Sequence, residues 1–105
     1  MENKRHYDIY LKFAKKSSDM VKEVHDFITG YTSFKHETGF IQERGVLYVS
    51  LQVGVGGKKL HINNEFSIEM ITETVLPEDE IIHETLRDFY SRAIQSLYVT
   101  IKMEG

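Results

Sequence analysis

The chain contains no cysteine, and that absence removes several chemistries together. No disulfide can staple it, no thiolate can act as nucleophile, and no thiolate zinc site can form. A cysteine-free chain fits a reducing compartment, so the expected location is cytoplasmic. Long apolar runs are also missing. The longest span only a few residues, far short of the roughly 20 that cross a bilayer as a helix. The opening Met1-Glu2-Asn3-Lys4-Arg5-His6 leads into no apolar core of the kind a secretory signal carries. No linker, internal repeat or low-complexity tract interrupts the chain.

What is present is an ordinary globular balance. Of 105 residues, 41% are hydrophobic and 28% charged, which suits a single domain, residues 1–105, with one modest core. The net charge of −3 is unevenly placed. Residues 1–16 carry five Lys or Arg against two acids, whereas residues 63–90 carry eight acids against Arg87. That acidic stretch repels a phosphate backbone, so nucleic acid is disfavoured as a partner. The basic start reads as a solvated face, or as a partner for acidic surface on its own chain or a neighbouring copy.

The organising stretch is Val46 to Thr74, read as two long strands around Gly56-Gly57. Leu47, Val49, Leu51, Val53 and Val55 alternate with Tyr48, Ser50 and Gln52. Leu60, Ile62, Phe66, Ile68 and Met70 alternate with His61, Asn63, Glu65, Ser67 and Glu69. Side chains alternate sides along a strand, so this spacing predicts one dry face and one wet face. Gly-Gly supplies the positive-φ positions of a tight hairpin turn.

Before this stretch, Tyr7, Ile9, Leu11 and Phe13 alternate as a first strand. Ser17, Ser18 and Asp19 then offer a helix cap. Met20, Val21, Val24, Phe27 and Ile28 follow as a helical stripe over 18–29, with Gly30 as its stop. Phe34, His36, Thr38 and Phe40 predict a further strand, with Gly39 at a bulge. After it, Pro77 suits a first helical turn, and Glu78, Asp79 and Glu80 suit the positive end of a helix dipole. Ile81, Ile82, Leu86, Phe89, Tyr90, Ala93, Ile94 and Leu97 make a wide helical stripe. Val99, Ile101 and Met103 alternate as a last strand. The expected fold is α+β, a two-layer sandwich with a mainly antiparallel five-stranded sheet. Its order along the chain is β-α-β-β-β-α-β, with two helices on one face. Several small α+β groups share parts of this order, but topology does not carry function, and no residue role is taken from them.

The motifs of specific chemistry fail one by one. Gly54-Val55-Gly56-Gly57-Lys58-Lys59 lacks the phosphate-loop spacing, lacks Ser or Thr after the lysine, and leads into a strand. The five histidines, His6, His25, His36, His61 and His83, show no H-x-x-x-H or H-E-x-x-H spacing. Glu65 and Glu69 share a strand face, and Glu73, Glu78 and Glu80 gather near a helix start, which is explanation enough for the acids there. No G-x-S-x-G elbow occurs. No catalytic residue, cofactor or metal ligand is therefore assigned. Tyr10, Val46, Tyr48 and Ile71 fall opposite the inferred core, and exposed aromatic patches of this kind mark protein interfaces. The function expected is a small non-enzymatic interaction module, an accessory, adaptor or inhibitor of bacterial or phage type. It would act through self-association and protein binding, with residues 1–16 or 98–104 free to extend a neighbouring sheet. The alternative is a ligand-binding or enzymatic oligomer whose subunit interface brings His36, His61 and Glu65 together.

Overall fold

A helical period runs further through the N-terminal region than the alternation suggested. Ile9, Phe13, Ser17 and Val24 lie on one helical stripe, and all four are buried. The structure is a computed structural model that describes residues 2–27 and 31–104. It places these four in one helix, α1, Glu2–Phe27. The first expected strand is therefore overturned. Tyr7 and Leu11 supplied half of its alternation, and both are about half exposed. Only Ile9 and Phe13 face the core, and their spacing of four is helical. Ser17-Ser18-Asp19 lies in the middle of α1 rather than at a helix start. Gly30, expected as the helix stop, lies outside the described residues.

The last expected strand fails for the same reason. Val99–Met103 continues a long helix, α3, Glu78–Glu104, whose buried stripe is Ile82, Leu86, Phe89, Ala93 and Leu97. Tyr98 and Val99 stand outside that stripe. Pro77 sits just before the helix, and its carbonyl accepts the N–H of Ile81 at 3.1 Å. Glu78, Asp79 and Glu80 fill the first turn as the dipole favours.

Between the helices run three strands, β1 Tyr31–Ile41, β2 Val46–Val55 and β3 Lys58–Ser67. They form an antiparallel sheet in the order β1-β2-β3. The α+β class and the central meander hold, while the five-stranded sheet becomes a three-stranded one. Leu47, Val49, Leu51 and Val53 are buried as the alternation requires. Across the sheet they face Phe40, Thr38, His36 and Phe34 of β1, and Phe66, Asn64, Ile62 and Leu60 of β3. Gly56, at φ +61°, turns β2 into β3 in the manner of a type II′ hairpin, with Gly at the first central position. Gly39 pairs regularly with Tyr48, and the irregularity in the ladder falls at Tyr31/Ser33 instead.

β3 is shorter than the expected strand to Thr74. Its alternation gives way to a short helix, α2, Ile68–Thr72. Ile68 and Ile71, three apart, are both buried there, while Met70 is exposed. The Ile68 N–H donates to the Gly45 carbonyl at 2.9 Å, tying α2 to the β1–β2 connection.

The two long helices cover the apolar face of the sheet. Phe13 packs edge-on against Phe66, Tyr10 stacks on Phe40, and Tyr90 tilts against His36. Contacts rise together along both helices, from Arg5–Glu78 through Ser17–Tyr90 to Phe27 beside Tyr98, so α1 and α3 lie parallel. Parallel helices set like dipole ends side by side. The basic start of α1 meets the acidic first turn of α3, with Lys12 Nζ 2.8 Å from Glu78 and 3.4 Å from Asp79. Those carboxylates, Glu78 first, raise the Lys12 pKa above its ordinary value.

Candidate functional site

Three features have the chemistry or the exposure that a functional site requires. The first is a polar cluster inside the core. α1 contributes Ser17, β1 contributes His36 and α3 contributes Tyr90. Ser17 Oγ lies 2.9 Å from His36 Nε2 and 2.5 Å from Tyr90 Oη, and Tyr90 Oη lies 2.9 Å from His36 Nε2. The tyrosine hydroxyl also reaches the Ser17 carbonyl at 3.3 Å. Burial holds the His36 pKa below its ordinary value and pushes the Tyr90 phenol up to about 12, against a lowering by its bond to Ser17.

A serine hydroxyl on a histidine ring nitrogen is the first half of a nucleophilic arrangement. The other requirements are missing. Ser17 is 0% exposed and Tyr90 3%, so no substrate reaches the hydroxyl. Tyr90 Oη bonds Nε2, the same ring nitrogen that faces Ser17, rather than the opposite nitrogen where an orienting carboxylate acts. The cluster satisfies its own donors and acceptors and fixes the mutual register of three elements. The cluster is hidden in the sequence because Ser17 reads as a helix cap and Tyr90 as part of an apolar stripe. The available signal was a lone serine inside the stripe Ile9, Phe13, Ser17, Val24.

The second feature is the open face of the sheet. Glu37, Tyr48, Ser50, Gln52, His61 and Asn63 line a shallow depression of about 380 Å³. The Tyr48 ring lies over Gly39, where any Cβ would overlap it, and its hydroxyl donates to Glu37 Oε1 at 3.1 Å. That bond raises the Tyr48 pKa, with smaller contributions from burial and from the Glu37 charge. His61 Nε2 and Ser50 Oγ are 3.0 Å apart.

The third is an apolar groove on the outer side of the helix pair. Phe27 near the end of α1 and Ile94, Gln95, Tyr98 and Val99 on α3 enclose about 420 Å³. Phe27 is 44% exposed, Tyr98 51% and Val99 55%. Among the described residues of that lining, the side-chain polar groups are the Gln95 amide and the Tyr98 hydroxyl. Tyr98 also takes the Lys102 ammonium over its ring at 5.3 Å. The sequence hides this groove because Tyr98 and Val99 read as part of a last strand.

The residues singled out from sequence do not form one patch, although Tyr10 lies near enough to Tyr48 to add, after Glu37, to the rise in its pKa. Tyr10 lies on α1, on the helix side of the sheet, against Phe40. Val46 and Tyr48 lie on the open side. Ile71 is 2% exposed inside α2. Within one chain the residues of the alternative site lie on two faces of the sheet. His36 sits in the row of Leu51, facing the helices, whereas His61 pairs with Gln52 and, with Glu65, faces the open side. The pleat sends adjacent residues to opposite faces, which separates His36 from the other two. Residues 1–16 and 98–104 cannot extend a neighbouring sheet as strands, because both belong to helices over their described parts.

Among the described residues, no three His, Asp or Glu side chains converge as a metal site would need. No described helix is long and apolar enough to cross a membrane. Among the described residues, His83 Nδ1 is buried without a hydrogen-bond partner. No protein-family model, curated protein or solved structure matches the chain.

Proposed function

We propose that the chain is a non-enzymatic protein-interaction module that works by associating with its own copies and with another protein. The observation that carries this reading is the outer groove. Large apolar side chains normally leave water, and here three of them stand about half exposed around one concavity. Such patches mark association surfaces, and aromatic residues at their centre supply most of the binding energy. The polar cluster supports the reading from the other side, since it is sealed and self-satisfied.

The test is the double variant Tyr98→Ser/Val99→Ser. Both side chains lie outside the core stripe, so the melting temperature should barely move. Sedimentation of the pure chain and affinity capture of its bound protein should both be compared with wild type. Loss of the captured protein or of the larger species supports the groove. Retention of both removes it.

A further inference from the structure

We propose that β1 is a self-pairing edge, and that two copies of the chain join through it antiparallel into one six-stranded sheet. This rests on the reading of the chain as an interaction module and names one of its partners, a second copy. β1 pairs with β2 on one side only, so among the described residues its other edge has no strand partner; the Tyr10 hydroxyl reaches the Thr38 carbonyl at 3.5 Å, a long bond that a second strand would replace. An unpaired edge offers a row of main-chain donors and acceptors, and natural sheets usually guard it with lysine, proline or a bulge. β1 has no proline, one lysine and one glutamate, and its irregularity lies at one end, leaving Ser33–Ile41 in regular register with β2.

Charge selects the register. Two identical strands pair about a two-fold axis, so each contact is made twice. On the open face β1 presents Lys35 and Glu37, 66% and 51% exposed at their side chains and only loosely paired with each other at 3.9 Å. With His36 of each copy on the axis, Lys35 of one copy faces Glu37 of the other, twice. A slip of two residues one way sets Lys35 against Lys35, and the other way sets Glu37 against Glu37. A slip of one residue throws each apolar side chain to the wrong face. Opposite charges directly across a ladder stabilise it and like charges destabilise it. On the other face, the exposed Tyr7 ring adjoins Tyr10, which stacks on Phe40, so an apolar strip continues to this edge. The opposite edge, β3, is better guarded, because Lys58 and Lys59 open it side by side.

The test is a charge exchange read by sedimentation equilibrium. Wild type should be a dimer. Lys35→Glu sets glutamate against glutamate twice, and Glu37→Lys sets lysine against lysine twice. Each alone should weaken the dimer about tenfold or more. Mixed together they restore both opposite pairs, so the mixture should dimerise where neither variant does. That rescue also shows both variants to be folded. A monomeric wild type overturns the proposal, as does a dimer indifferent to both variants. A dimer lost in Lys59→Glu but kept in Lys35→Glu places the contact on β3 and overturns it too. A dimer lost only in the Tyr98→Ser/Val99→Ser groove variant overturns β1 pairing while leaving the interaction reading standing.

Discussion

Replacing Tyr90 with phenylalanine removes one hydroxyl from a closed triangle, and the geometry says what that costs. Ser17 Oγ and His36 Nε2 remain 2.9 Å apart, so neither loses its last partner. The loss is then the net worth of the missing bonds, about 1 kcal/mol. Ser17→Ala removes a different corner and leaves Tyr90 Oη on His36 Nε2 at 2.9 Å, again at about 1 kcal/mol. The double variant leaves His36 Nε2 with neither hydroxyl. An unsatisfied polar atom costs about 1–3 kcal/mol, so the double loss should exceed the sum of the singles by about 1 kcal/mol or more. Urea unfolding with an unchanged slope measures all four corners of the cycle. Alkali supplies a second arm. Burial disfavours the phenolate, so the folded pKa of about 12 stands above the ordinary 10.0. Above pH 10 the unfolded chain releases this proton and the folded chain does not. Stability should therefore fall between pH 10 and 12, by at most about 3 kcal/mol, and Tyr90→Phe should lack that fall. Strict additivity in the cycle, with identical alkaline slopes for wild type and Tyr90→Phe, would refute the triangle.

Acid acts on the third corner. The His36 pKa is lowered by burial, so its contribution is fully present above the ordinary value of 6.5. Below it the unfolded chain takes up a proton first, and stability falls until the folded pKa is passed; His36→Gln should flatten that slope in urea melts from pH 7 to 4. Gly39→Val should push the Tyr48 ring off the strand and break its bond to Glu37. The Tyr48 phenol should then titrate nearer its ordinary value in NMR spectra, and an unmoved titration would count against the stacked position. Gly56→Ala should cost about 1–2 kcal/mol in denaturant unfolding, because Gly56 holds a left-handed φ that a Cβ disfavours.

The middle of this fold was legible because its alternation is long and anchored by turns. Ten residues of β2 keep one parity from Val46 to Val55, and no helical stripe explains them. Gly45 and Gly56 mark the two connections with positive φ. The ends were misread because short alternations satisfy two periods together. Ile9 and Phe13 belong equally to a strand face and to a helix face, and the exposed Tyr7 and Leu11 completed the wrong pattern. Ser17 deepened the error, since a serine beside Ser18 and Asp19 reads as a cap until tertiary contacts give its hydroxyl to His36 and Tyr90. The groove followed from that same limit. Tyr98 and Val99 look like strand residues in sequence, and only the continuation of α3 turns them outward beside Phe27. The basic start of α1 reads in sequence first as a solvated face, and only second as a partner for acidic surface. Arg5 and Lys12 meet Glu78 there, although these exposed pairs contribute little to stability.

Association is the claim on which the functional reading stands, and the solution mass of the pure chain over a wide concentration range tests it most directly. Sedimentation equilibrium should show the mass rising with concentration to twice that of one chain. A mass equal to one chain at every concentration would contradict self-association, and with it the pairing through β1.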